Sequence, residues 1–301
     1  MATVALTARA GAPISWRRDI RARASPSRVG GETDARRRAR ADDGSRDATA
    51  TAPMTRRDAC AALALAASSA VVGAARADTA AISRAYDRYA ASYDDLDGGA
   101  FAADTLGLDA TRRALLAKAR GDVLELGVGT GLNLPGYDAT RVTSLTAVDI
   151  SEGMLEKAKA RAQTLQTSAG LFVDKEGRRT ITFAVADAER LPFPDASFDC
   201  VVDTFSLCVF ANPEAALAEV RRVLKPDGVA LLVEHTKSTT VPLLGAYQDL
   251  VSAPVTKMSK GCAWNQDVTA MATRAGLRVT VAEPALAGLL TTLEATRGGN
   301  P

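Results

Sequence analysis

The sequence predicts an open α/β fold, a mostly parallel sheet with helices on both faces. From residue 122 to residue 234, short apolar runs alternate with segments of helical spacing, as right-handed strand-helix-strand crossovers require. The first apolar run (Val123, Leu124, Leu126) breaks into "GVGTG", whose glycines let a backbone turn tightly and come close to a ligand. Glu125, Asp149 and Asp187 fall at the ends of three successive runs, where sheets of this type bind ligands.

The elements follow in order. Tyr86, Tyr89 and Tyr93 lie three and four residues apart, on one face of a helix. A second helix over 109–120 stops before Gly121-Asp122. Strands are expected over 122–126, 144–149, 180–184, 198–203 and 229–234, with helices over 153–163 and 213–224. The second of these helices closes at Lys225-Pro226-Asp227-Gly228, where Pro and Gly follow a basic last turn. A helix over 266–275 and strands over 277–282 and near 289–295 complete the pattern. Residues 236–260, with two prolines and scattered Val, Leu and Tyr, break the alternation just after a strand's carboxyl end. They read either as a substrate-facing insertion or lid, or as a surface excursion.

Composition sets the bounds. With 301 residues, 47% hydrophobic and 24% charged, the chain has the make-up of a soluble globular protein of one or two domains. Residues 1–58 carry 13 Arg, no Lys and 7 Asp/Glu, a local balance of +6 in a chain of net +2. The remainder is therefore acidic, and no nucleic-acid partner is expected for the folded part. An Arg-, Ala- and Ser-rich leader without apolar periodicity resembles an organellar transit peptide, the alternative being a basic tail for an anionic partner.

Arg56-Arg57 precede an uncharged Ala/Leu/Val run over 59–75 and then "ARA" before Asp78, which resembles a twin-arginine export signal. The tandem arrangement suggests a chloroplast protein of the thylakoid lumen or membrane, with the mitochondrion as the alternative. The run is short and alanine-rich for a span of about 20 apolar residues, and an uncleaved anchor competes with a cleaved signal. The expected division is thus a transit peptide (1–58), a signal or anchor (59–77) and a folded domain (78–301).

Cys60 lies in the leader run, and Cys200, Cys208 and Cys262 show no paired spacing, so neither a zinc site nor a disulfide framework is indicated. His235 is the only histidine, and any scheme needing an imidazole has this one candidate.

The glycine turn is read by elimination. A triphosphate loop needs Gly-Lys-Ser/Thr, and no lysine follows Gly131. A dinucleotide fingerprint needs glycines at relative positions 1, 3 and 6, whereas Gly127, Gly129 and Gly131 fall at 1, 3 and 5. Glu125, just before the loop, would repel a diphosphate and favour a sulfonium or ammonium. Asp149, 22 residues after Gly127, can accept both hydroxyls of a ribose, and Asp187 can accept from an exocyclic amine such as that of adenine.

"VLELGVGTG", "LTAVDIS", "VADAERLPFPDASFD" and "EVRRVLKPDGVALLVEH" together resemble the successive motifs of class I S-adenosylmethionine-dependent methyltransferases of the type 11 group. Within that family "GTGLNLPGY" is similar to phospholipid N-methyltransferases, and "DTFSLC" and "VEH" to membrane-associated thiol methyltransferase-like proteins. The resemblance implies a Rossmann-like sheet of seven strands, one of them antiparallel, and S-adenosylmethionine as cofactor. It implies that Gly127, Gly129 and Gly131 line the methionine part. Asp149 would hold the ribose, Ile150 and Met154 would flank the adenine, and Asp187 with the Ala188 backbone would read its amino edge. Thr204 and Phe205 would sit near the sulfonium and the acceptor, with Tyr86 and Tyr93 closing over the cofactor.

Methyl transfer from a sulfonium is an in-line displacement that requires alignment and exclusion of water and no metal. Where the acceptor holds its proton, His235 is the candidate base and Asp203 the second. The expected acceptor is a small or lipid-like molecule, met at a thylakoid or other organelle membrane. A methyltransferase-like protein that binds cofactor or partner without turnover is the alternative.

Overall fold

The computed structural model describes residues 79–96, 107–169, 171–174, 176–178 and 180–299. The expected leader and apolar run, with Cys60, lie outside the described residues. Two helical segments, α1 (Thr79–Tyr89) and α2 (Tyr93–Leu96), and a helix α3 (Leu108–Leu116) precede the sheet. The sheet strands are β1 (Gly121–Leu126), β2 (Val142–Asp149), β3 (Ile181–Val185), β4 (Phe198–Thr204), β5 (Leu224–His235), β6 (Arg278–Ala285) and β7 (Leu290–Thr296). Helix α4 (Glu152–Ala169) joins β2 to β3, and α5 (Pro213–Val223) joins β4 to β5. Helices α6 (Pro242–Met258) and α7 (Val268–Arg274) lie between β5 and β6.

The strands run in the order β3-β2-β1-β4-β5-β7-β6. All neighbouring pairs from β3 to β5 are parallel, and β7 is antiparallel to both β5 and β6. This is the seven-stranded, mostly parallel sheet that the sequence predicts. Along β1, Val123 and Leu124 join different apolar clusters, because successive strand side chains point to opposite faces. Both faces are covered, so β5 needs a continuous apolar run, and Ala230, Leu231, Leu232 and Val233 are all buried.

Caps fix where the helices begin. The Asn212 side chain accepts from Ala215 N at 3.1 Å, with Pro213 opening α5. Asp267 accepts from Ala270 N at 2.9 Å and opens α7, while Ser151 Oγ accepts from Met154 N at 3.1 Å at the head of α4.

The stretch 236–260, read as an insertion, lid or surface excursion, is largely α6, 17 residues long. Pro242 stands at its first turn, where the missing N–H costs nothing, and only Pro254 interrupts the ladder. The polarity of α6 is inverted: Gly245 and Gln248 are buried, whereas Leu243, Leu250 and Met258 are 83%, 81% and 84% exposed and Tyr247 is 54% exposed. The inward Gln248 is satisfied, donating to Thr236 O and Trp264 O and accepting from Ser238 N. Among the described residues, no helix is long and apolar enough to cross a membrane.

Candidate active site

The strand order reverses between β1 and β4, and the carboxyl ends of these two strands part to open a crevice. Gly127 follows β1 with φ +53°, and a Cβ there would lie 2.5 Å from Ser206 Cβ, so only hydrogen fits. Gly129, at φ +54°, would place a Cβ in open space, with only Gly127 O within 4 Å, on the side that lines the crevice. Gly131 faces inward, packed on Leu134 and Ala158.

The crevice measures about 760 Å³, its open mouth included. Among the residues singled out from sequence, Gly127, Gly129, Asp149, Ile150, Met154, Asp187, Ala188, Thr204 and Phe205 line it, together with Tyr86 and Tyr93. Asp149 Oδ2 accepts from Gly129 N and Oδ1 from Ser151 N, both at 2.9 Å, so the carboxylate sets the loop's conformation and still has lone pairs for a ligand. Burial raises its pKa, against the lowering effect of those backbone N–H groups. Asp187 Oδ1 accepts from Glu189 N at 2.9 Å. Phe205 has φ +61°, a conformation that an L side chain rarely adopts and that concentrates at functional sites.

Four other candidates lie elsewhere. Glu125 is 1% exposed, and its carboxylate accepts from Asn133 Nδ2 at 2.9 Å and from Tyr137 Oη at 2.8 Å. It is tucked beneath the loop, does not line the crevice, and burial pushes its pKa up to about 7. Gly131 belongs to the packing under the loop. Asp203 is buried, accepts a hydrogen bond from Ser206 Oγ, and is pushed up to about 6 by burial. Its neighbour Glu234 is driven well above the ordinary range, first by burial and then by the Asp203 charge. Asp203 lines neither the crevice nor the larger cavity beside it.

His235 does line that second cavity, of about 1710 Å³ by the same measure. Tyr86, Tyr93, Phe205 and Val209 border both spaces. The second cavity has an apolar body (Leu108, Leu116, Leu132, Met258) with Arg112, Arg113 and Lys260 in its wall. The Arg112 guanidinium sits 5.5 Å above the Phe205 ring, and the His235 ring packs 5.2 Å from the same ring.

The N-terminal segment is tied over the crevice. Ser151 Oγ and Gly153 N both donate to Asp87 Oδ1, at 2.6 and 3.0 Å. Ser83 Oγ donates to Ile150 O at 3.0 Å, and Asp94 accepts from Thr130 Oγ1 and pairs with Arg161, both at 2.5 Å. These ties were not legible in the sequence, since an aspartate in an exposed N-terminal helix gives no sign of what it caps.

Sequence spacing also hid a group of sulfur and nitrogen donors. Cys208 Sγ and Cys262 Sγ lie 3.0 Å apart, and His235 Nδ1 is 3.9 Å from the first and 3.8 Å from the second. The Cys208 thiol is pushed up well above its ordinary value, first by its hydrogen bond with Cys262 and then by burial.

A crevice at the switch point of this sheet, with a second cavity sharing its wall, defines a ligand-binding protein of the Rossmann-like type. A model of the methyltransferase domain matches residues 124–232. The phosphatidylethanolamine N-methyltransferase of Cereibacter sphaeroides is 33% identical over 205 residues, 67% of this chain and 89% of that one. The mitochondrial methyltransferase OMS1 of Saccharomyces cerevisiae is 30% identical over 52% of this chain and 34% of its own length. The ubiquinone/menaquinone biosynthesis C-methyltransferase UbiE of Coxiella burnetii is 37% identical over 42% of this chain and 47% of its own. A solved methyltransferase, in complex with the Haloferax volcanii activator Trm112, shares the fold with a TM-score of 0.53 at 20% identity, covering 71% of this chain and 98% of that one. The chain belongs to the class I S-adenosylmethionine-dependent methyltransferases.

Proposed function

We propose that the protein transfers a methyl group from S-adenosylmethionine to a small or lipophilic acceptor at an organelle membrane. The observation that carries this reading is the pair of adjoining cavities, one at the sheet's switch point and one larger with both apolar and basic side chains in its wall, sharing Tyr86, Tyr93 and Phe205. The residues of the crevice fit the cofactor: Gly129 leaves the loop bare on its open side, and Asp149 keeps acceptor capacity for a ribose. When bound there, S-adenosylmethionine supplies an electrophilic methyl group on a sulfonium.

The chain's own residues bind and orient. Asp149 accepts from the ribose, Ile150 and Met154 flank the base, and Asp187 with the Ala188 backbone reads the base's amino edge. Gly127 and Gly129 admit the methionine part, and Thr204 and Phe205 border the reacting centre. Glu125 and Gly131 act one layer down, by holding the loop. His235, in the acceptor cavity, is placed to take a proton from an acceptor that carries one while its imidazole holds no metal.

A lipophilic acceptor agrees with α6, whose outward apolar stripe runs to Met258 at the cavity's edge. A helix that buries Gly and Gln while exposing Leu, Tyr and Met is built to lie on an apolar surface. The names of the relatives, a phospholipid N-methyltransferase and a quinone C-methyltransferase, point to the same class of acceptor. For location, the tandem leader supports a chloroplast thylakoid protein with residues 1–58 as transit peptide, 59–77 as signal or anchor and 78–301 as the catalytic domain. The yeast relative supports a mitochondrial address instead, and imaging a fluorescent fusion separates the two.

Titration calorimetry of the full chain with S-adenosylmethionine tests the binding half, and a labelled-methyl screen over thiols, quinols and lipid amines tests the transfer half. Absence of binding at high micromolar concentration refutes the reading. Binding with no labelled product across the panel makes the protein a silent, cofactor-binding relative.

A further inference from the structure

We propose that Cys208, His235 and Cys262 form a binding site for a thiophilic divalent cation of the zinc class, in the wall of the acceptor cavity. The three donors come from three places: the turn after β4, the last residue of β5 and the loop after α6. Their donor atoms lie within 4.8 Å of one another, and all three residues line the same cavity. Among the described residues they form the one group of three or more His, Cys, Asp or Glu donors close enough to share an ion.

The geometry suits a metal better than a disulfide. Tetrahedral zinc, with Zn–S of about 2.3 Å and Zn–N of about 2.0–2.1 Å, separates sulfur from nitrogen by about 3.6 Å and sulfur from sulfur by about 3.8 Å. The two sulfur–nitrogen edges, 3.8 and 3.9 Å, already match. The sulfur–sulfur edge, 3.0 Å, has to open by about 0.8 Å to reach that value. A disulfide at about 2.05 Å requires the sulfurs to close instead, and it would leave the imidazole nitrogen with no part in the group. Two sulfurs and one imidazole select zinc or a softer ion over magnesium or calcium.

Three protein donors leave one position of a tetrahedron open, beside a cavity that all three residues line. Uptake releases one proton from each thiol to solvent, and both sulfurs bind as thiolates. The open position then takes a lone-pair donor atom from whatever occupies the cavity. That last step rests on the cavity being the acceptor's, whereas cation binding itself does not.

The test uses the full chain, reduced with a phosphine and desalted, titrated with Co²⁺ and then with Zn²⁺. The expected result is one cobalt per chain with a thiolate-to-cobalt charge-transfer band, displaced by zinc. Binding should weaken about tenfold or more in Cys262→Ser and in His235→Asn, and stay unchanged in Cys60→Ser. Because a variant can misfold, a second measurement uses the unaltered chain: zinc should slow iodoacetamide labelling of Cys208 and Cys262, read by peptide mass. Imidazole added to the cobalt form should shift its bands if the fourth position is open. No cobalt band in the reduced chain, labelling unaffected by zinc, or a Cys208–Cys262 disulfide forming without metal uptake overturns the proposal. Failure of cofactor binding or methyl transfer leaves these readouts unmoved, so the two readings fail separately.

Discussion

Replacing Gly127 and Gly129 by alanine, one at a time, separates what the glycine turn does for folding from what it does for binding. Both sit near φ +50°, where an L side chain costs about 1–2 kcal/mol. At Gly127 the added methyl also meets Ser206 Cβ at 2.5 Å and Oγ at 2.7 Å. Ser206 is itself buried and hydrogen-bonded to Asp203, so it cannot swing clear, and the total for Gly127→Ala is about 2–5 kcal/mol. At Gly129 the methyl meets only Gly127 O at 3.9 Å, so folding loses no more than the conformational cost. That methyl does project along the crevice wall, and it should raise the dissociation constant for S-adenosylmethionine tenfold or more, about 1.4 kcal/mol. In melts of this domain, at about 2–4 °C per kcal/mol, Gly127→Ala should fall by about 4–20 °C and Gly129→Ala by about 2–8 °C. Calorimetry then reads the affinity of the folded Gly129→Ala chain. A Gly129→Ala protein that binds as tightly as the parent, or melts below Gly127→Ala, refutes this account of the loop.

The remaining expectations concern charge, closure and the exposed apolar stripe of α6. Glu125, raised from its ordinary 4.5 to about 7 by burial, contributes stability that is full below about pH 4.5 and lost as pH rises through about 7, a change of about 3 kcal/mol. Denaturant melts at low and high pH should show Glu125→Gln flattening that fall, and an undiminished fall would mean another group causes it. Asp87→Ala removes two hydrogen bonds at the head of α4 and should cost about 1–2 kcal/mol by thermal melt while weakening cofactor binding. Unchanged affinity would show that α1 does not close over the ligand. Leu243→Glu with Leu250→Glu should leave stability within about 0.5 kcal/mol yet weaken sedimentation with phosphatidylglycerol vesicles about a hundredfold, since two leucines lose about 3 kcal/mol of burial. Equal vesicle binding by parent and double variant would assign the stripe to a protein partner.

The sheet was legible because its signals are local. Val123 to Leu126 and Ala230 to Val233 are buried on both faces, so a plain apolar run marks each strand, and Gly127, Gly129 and Asp149 follow directly at strand ends. What depends on a side chain's direction was not legible. Glu125 looks, in sequence, like an acid facing the ligand; only the fold shows Asn133 and Tyr137 enclosing it from below. Helix α6 hid behind two prolines and an inverted polarity, since Gln248 faces inward where a helical pattern wants an apolar residue. Cys208, His235 and Cys262 stand 27 residues apart on either side of the histidine, a separation that no local motif covers.

The wall shared by Tyr86, Tyr93 and Phe205 has a thermodynamic consequence. A partition common to two chambers couples their occupancy: whatever settles the rings from one side fixes the surface offered on the other. Each ligand should therefore change the affinity of the other by the same factor, read by calorimetry of either one with and without its companion.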